Sequence, residues 1–140
     1  MIFGGESGGY LADTWVWNGT TWTQKMPATS PPARLQHAMT YDALRGEVLL
    51  YGGSSDGFQT LGDAWVWNGT TWAQAMPATA PPALQLHAMT YDALRREVVL
   101  FGGEPAGFNA MADTWVWNGL TWSQKILTNT PQTRDGHAGA

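Results

Sequence analysis

Short runs of β-branched, aromatic and other apolar residues recur along the chain, each bounded by Gly, Pro or Asn. That pattern predicts strands, and no stretch carries a convincing 3.6-residue period. Four runs repeat in a fixed order, here labelled A to D. A spans His37 to about Asp42, B about Glu47 to Tyr51, C about Thr14 to Trp17, and D Thr20 to about Thr23. Asn18-Gly19 between C and D is the favoured pair for a two-residue type I′ hairpin, which needs φ > 0 at both positions. Asn68-Gly69 and Asn118-Gly119 predict the same turn. Between A and B, Gly46 occupies the expected left-handed position of Ala43-Leu44-Arg45-Gly46. Its counterpart is Arg96, for which that conformation costs about 1–2 kcal/mol, so this turn is expected to differ between copies.

The runs belong to a repeat of 50 residues. Asp13-Thr14-Trp15-Val16-Trp17-Asn18-Gly19 returns from Asp63, with Ala64 for Thr14, and unchanged from Asp113, and residues 13–62 match 63–112 at 33 of 50 positions without a gap. All nine Trp lie in this segment, three per copy. Aromatic-Gly-Gly recurs at Phe3, Tyr51 and Phe101, and His-Ala-Met-Thr-Tyr-Asp at His37 and His87, with its start again at His137-Ala138.

An aromatic-Gly-Gly closing one strand, a Trp-rich strand pair after it and a period near 50 residues together resemble the Kelch repeat. Arg34-x-x-His37 and Arg134-x-x-His137 leading into strand A, and the strand-D Trp, also fall where that family has them. Departures are Trp17, Trp67 and Trp117 in place of a common Tyr, a short C–D hairpin, and Leu84 for Arg in the middle copy. The resemblance implies an all-β fold, a β-propeller of four-stranded blades, with B–C and D–A loops on one face. Copper-radical oxidases share that fold class, but their chemistry needs a Cys, and this chain has none.

On that reading residues 1–140 form one propeller segment of three blades' worth. Blade 1 has strands B–D within 1–25, blade 2 spans about 37–75, blade 3 about 87–125, and a lone strand A lies at about 135–140. A blade has two apolar faces and must stack on neighbours. The expectation is therefore a homodimer closing head to tail into six blades, within the usual 4–8. The closing strands would be Met1-Ile2-Phe3 of one chain and His137-Ala138-Gly139-Ala140 of the other. The competing reading is a fragment of a longer Kelch protein or enzyme, which would leave apolar faces and strand edges open in this chain.

Composition narrows the function. Apolar residues make up 44% and charged residues only 13%, with seven Lys/Arg against eleven Asp/Glu for a net charge of -4. A phosphate-tracking nucleic-acid binder needs a basic stripe, so nucleic acid is not an expected partner. No apolar run approaches a membrane span, and no signal-peptide pattern opens the chain. Without Cys, disulfides, thiolate zinc sites and cysteine nucleophiles are excluded.

Candidate chemistry is weighed against structural roles. His37, His87 and His137 could ring a channel mouth, but a zinc needs nitrogens about 2.0–2.1 Å from one point, and repeat-equivalent residues on adjacent blades lie further apart. Structural histidines are the stronger reading, with no metal and no cofactor expected. Asp13, Asp63, Asp113, Asp42 and Asp92 recur with the repeat and read as acceptors for backbone N–H at turns. Catalytic sets should differ between copies, which disfavours a hydrolase or lyase. The Trp read as core, with loop carbonyls taking their N–H groups, rather than as sugar platforms. Loops that differ between copies are the best candidates for binding. They run from Glu6 to Leu11, Ser54 to Leu61 and Glu104 to Met111, and hold Tyr10, Phe58, Phe108, Glu6 and Glu104. Arg34 and Arg134 lie on the same face, either as ligand contacts or paired to Asp or carbonyls of a neighbouring blade. The expectation is a non-enzymatic binding scaffold for a protein, peptide or small polar ligand. A carbohydrate-binding lectin is the alternative.

Overall fold

The computed structural model describes residues 1–107 and 109–140. The described residues form no helix and eleven strands: β1 (Ile2–Glu6), β2 (Tyr10–Trp17), β3 (Trp22–Lys25), β4 (Ala38–Asp42), β5 (Glu47–Tyr51), β6 (Ala64–Trp67), β7 (Trp72–Ala75), β8 (Ala88–Asp92), β9 (Glu97–Phe101), β10 (Thr114–Trp117) and β11 (Trp122–Lys125). They make three antiparallel sheets, ordered β1-β2-β3, β4-β5-β6-β7 and β8-β9-β10-β11. Each is a meander, as hairpin connections dictate. The first sheet lacks an equivalent of β4 and β8, so β1 is an edge strand.

Strands A, B and C fall where the apolar runs put them, and D does not. It starts at Trp22, Trp72 and Trp122, because the connection is four residues long and Trp17 pairs with Trp22, Trp67 with Trp72, and Trp117 with Trp122. The cause is the Asn side chain. Asn18 Oδ1 accepts from the backbone N–H of Thr20 and Thr21, both at 2.9 Å, and closes an Asx turn. Only Gly19 has positive φ, at 100°, so the type I′ geometry does not form. β2 is also longer than its counterparts. The first B–C loop is two residues shorter, which lets Glu6 pair with Tyr10 and leaves only Ser7 to Gly9 as loop. Residues 126–140 form no strand, the expected strand at 135–140 included. A strand needs a ladder partner, and although Gly139 lies against Ala88 of β8, this segment pairs with no strand among the described residues.

Sheets stack through one repeated joint. Trp72 packs edge-on against Phe3 of the preceding sheet, with ring centroids 5.3 Å apart, and its Nε1 donates to Thr14 Oγ1 at 2.9 Å. Trp122 packs in the same way on Tyr51, also at 5.3 Å. Both indoles are 1% exposed, and the main core gathers around the second joint with Leu49, Leu100 and Trp117. The loop threading each joint is clasped to the diglycine: Gly5 N–H donates to the Arg34 carbonyl, Gly53 to Leu84 and Gly103 to Arg134. A Cβ on Gly52, at φ 63°, would sit 2.4 Å from the Leu84 carbonyl oxygen, so only glycine fits there. Leu86 N–H donates to the Gln36 carbonyl and Gly136 N–H to Leu86, a backbone relay through three residues at φ near 60°.

The indole partners are side chains, not the expected loop carbonyls. At the second joint Ala64 replaces Thr14, and Trp122 Nε1 is buried without an acceptor. An unsatisfied buried donor costs about 1–3 kcal/mol. Thr14→Ala is expected to destabilise the protein by that amount and Ala64→Thr to stabilise it by about 1 kcal/mol, both read from urea midpoints.

The A–B turn does not differ between copies. Gly46 N–H donates to the Asp42 carbonyl at 2.8 Å and Arg96 N–H to that of Asp92 at 2.7 Å, with φ 71° and 59°. Arg96 takes the left-handed conformation because Asp92, bonded to the N–H groups of Leu94 and Arg95, fixes the turn around it. Arg96→Gly should therefore raise stability by about 1 kcal/mol in the same assay.

Candidate functional site

Two groups of predicted site residues lie in different surroundings. The loop group begins with Tyr10, which opens β2 and is exposed. A Cβ on Gly57 would lie 3.4 Å from Tyr10 Oη, so the Ser54 to Leu61 loop meets Tyr10. Phe58, 75% exposed, is held on that loop by an Asx turn in which Asp56 Oδ1 accepts from the N–H of Phe58 and Gln59. Those two bonds hold the Asp56 carboxyl below its usual range. Glu6 is exposed at the end of β1. Tyr10, at the start of β2, and Phe58, on the loop beside it, are thus two exposed aromatic rings in one region of the surface. Phe108 lies outside the described residues.

Arg34 and Glu104 are placed differently. Arg34 is fully buried. Its Nη1 and Nη2 fork onto both oxygens of Asp63 at 2.7 Å, Nη1 also donates to the Gly52 carbonyl, and Nε donates to that of Pro32. That leaves no face of the guanidinium open to a ligand. Burial would raise the Asp63 carboxyl, but hydrogen bonds from Arg34 and Trp65 outweigh it and hold the group below the usual carboxylate range. Glu104 is buried and accepts from Gln85 Nε2 at 2.8 Å. Arg134 is exposed, its side chain bonded only to the Gln132 carbonyl at 3.2 Å among the described residues.

His37 and His87 stand one at each joint, just before β4 and β8, and His137 takes the equivalent place beyond the third sheet. His37, His87 and His137 meet Phe3, Tyr51 and Phe101 edge-on at 5.8, 5.7 and 5.7 Å. Burial, with the Arg34 charge adding to it, lowers His37 to about 4; burial also lowers His87 to about 4. Both imidazoles are neutral at pH 7, packed against rings and backbone. Among the described residues no three His, Asp or Glu side chains gather in a way that could hold a metal ion.

The repeated acids are engaged in structure. Asp42 and Asp92 accept backbone N–H groups within their hairpins, as expected, and each also pairs with an Arg three residues on. Asp13 and Asp63 instead accept the indole N–H of Trp15 and Trp65, each at 2.6 Å. Asp-x-Trp is visible in the sequence as a spacing, and on a strand i and i+2 share a face, which is the signal that could have revealed this bond.

Of the closing residues, Phe3 is buried while Ile2 is exposed. His137, Ala138 and Gly139 line an apolar cleft of about 180 Å³ with Ala88, Thr90 and Phe101. Trp17 and Trp22 are 45% and 47% exposed, although their counterparts in the other sheets are buried. Comparison with family models gives no match, and no curated protein matches the chain.

His37 and His87 set a pH dependence. Their pKa is about 4 in the folded protein and near 6.5 in the unfolded chain, so the unfolded state binds more protons between those values. Stability is full above pH 6.5 and falls as pH drops toward 4, by about 2–3 kcal/mol for each histidine. Urea midpoints at pH 7 and 4.5 measure the loss, and His87→Asn should reduce the slope.

Proposed function

We propose that this chain is a Kelch-type β-propeller segment of three blades, and that two copies close a six-bladed ring serving as a non-enzymatic binding scaffold. The observation that carries the reading is the repeated joint. Each strand-D Trp inside the chain is covered by the aromatic ring ahead of the preceding diglycine, while Trp22 is half exposed at one end and Phe101 borders an open apolar cleft at the other. These two faces are the complementary halves of one more joint. Head-to-tail closure buries both, and two copies give six blades, within the 4–8 usual for such rings. The same closure pairs the free edge of β1 with residues 137–140 of the other copy.

Binding falls to the loop face. Tyr10 and Phe58 supply rigid aromatic surface with few rotamers to freeze, which suits a peptide or a sugar. The peptide reading is preferred, since Trp platforms for sugars are spent in the joints. Enzymatic chemistry is disfavoured because Asp42, Asp63 and Asp92 are engaged in hairpins and ion pairs.

The test is the mass of the 140-residue chain by light scattering. Twice the chain mass of 15.2 kDa, held on dilution to low micromolar, is the expected result. A single-chain mass at every concentration would overturn ring closure. A glycan array then separates the scaffold from a lectin.

A further inference from the structure

The three joints implied by the repeat are not equally equipped. The joint between the first and second sheets carries two polar links, the Arg34–Asp63 fork and the Trp72–Thr14 hydrogen bond. The joint between the second and third carries neither, because Leu84 and Ala64 replace Arg and Thr. The joint beyond the third sheet would have both again: Arg134 and Thr114 stand at one end of the chain, and Asp13 and Trp22 at the other.

Both halves of the ion pair are already posed. Asp13 is oriented by Trp15 Nε1 at 2.6 Å, as Asp63 is by Trp65 at the same distance. Arg134 Nε donates to the Gln132 carbonyl at 3.2 Å, as Arg34 Nε does to Pro32 at 3.1 Å. The Arg134 carbonyl accepts from Gly103 just as that of Arg34 accepts from Gly5. Arg134 thus holds the pose of Arg34, and its terminal nitrogens bond to nothing among the described residues.

We infer that Arg134 of one copy forks onto Asp13 of a second copy of this chain, a paired lock at each of the two seams of the ring. The inference rests on the ring closure proposed above and names the residues that secure it. A bidentate Arg–carboxylate pair fixes register as well as adding affinity. The same register carries one mismatch. Leu35 bridges Ser54 in register with the β4–β5 ladder and Gln85 bridges Glu104 in register with the β8–β9 ladder, and Gln85 donates to the Glu104 carboxylate. At the seam the corresponding residues are Asp135 and Glu6 of the second copy, two carboxylates. Each seam therefore holds one matched and one repulsive contact.

The experiment is sedimentation of the 140-residue chain over a dilution series, as wild type, Arg134→Leu, Asp13→Asn, the double variant and Asp135→Gln. Leucine already occupies the equivalent place at Leu84, and Asn keeps an acceptor for Trp15, so near-UV circular dichroism of the variants should be that of folded chain. Each single variant should raise the dimer dissociation constant about a hundredfold or more, because it strands a buried charge. The double variant should be no more than about threefold weaker than either single one, the signature of a direct pair. Asp135→Gln, which copies the Gln85–Glu104 contact, should tighten the dimer about tenfold by removing a like-charge contact at both seams. Wild-type chain that stays single at all concentrations overturns the ring reading itself. A wild-type dimer that Arg134→Leu leaves within about threefold, or single losses that multiply in the double variant, overturns the ion pair alone. An Asp135→Gln dimer no tighter than wild type overturns the register.

Discussion

Burial of one indole per sheet against the sheet before it is the constraint on which the rest of this structure depends. Trp72 and Trp122 each lie edge-on against an aromatic ring 5.3 Å away, with the cross-strand Trp67 or Trp117 on the other side. Aromatic groups of this size bury roughly 150–250 Å² each and dominate the energetics of any interface they enter. A charged fraction of 13% accords with this, because a face that stacks on a neighbouring sheet has little room for charge. A lone meander of three or four short strands would hold together poorly without such a neighbour.

The backbone at the joint is built around the same contact. The aromatic residue that receives the indole is followed by two glycines, and the second donates its N–H to the loop passing from one sheet to the next. With the Leu84 carbonyl so close to Gly52, any side chain would push the loop away and open the joint. The neutral histidine packs into the remaining space against the aromatic ring. Its depressed pKa follows from that packing and marks a structural group; a channel ligand would need a nitrogen open to solvent. Arg34 illustrates the same economy. A loop arginine at a ring mouth looks like a ligand contact, yet its fork onto Asp63 ties the loop to the next sheet.

The repeat, strands A to C of the second and third sheets and the burial of Trp67, Trp72, Trp117 and Trp122 were legible because they depend on periodicity and residue type. Side-chain hydrogen bonds that compete with standard turns were not. Asn18-Gly19 carries the signal of a two-residue hairpin, but Asn18 Oδ1 captures two backbone N–H groups and stretches the loop to four residues. Arg96 breaks the glycine rule at its turn, and Asp92 holds the turn regardless. Among candidate site residues, Tyr10 at the start of β2 and Phe58 on the loop beside it are exposed, whereas Arg34 and Glu104 are enclosed by partners that only the three-dimensional structure brings near. The possibility that Arg34 pairs with Asp was readable; which Asp, 29 residues away, was not.

The unequal joints have a physical explanation in chain connectivity. Sheets two and three are tied by the loop of residues 76–87, stiffened by Pro81-Pro82, so their contact forms at an effective concentration in the millimolar range or above. Such a joint tolerates the loss of Thr and Arg to Ala64 and Leu84, and even an indole N–H without a partner. A seam between separate chains has no tether. It must offset about 4–15 kcal/mol of lost translational and rotational freedom. In the proposed ring, polar links that are dispensable inside the chain are therefore worth keeping at the seam between copies. The first joint is tethered too and retains both links, so connectivity explains why loss is tolerated at the second joint without requiring loss at every tethered one.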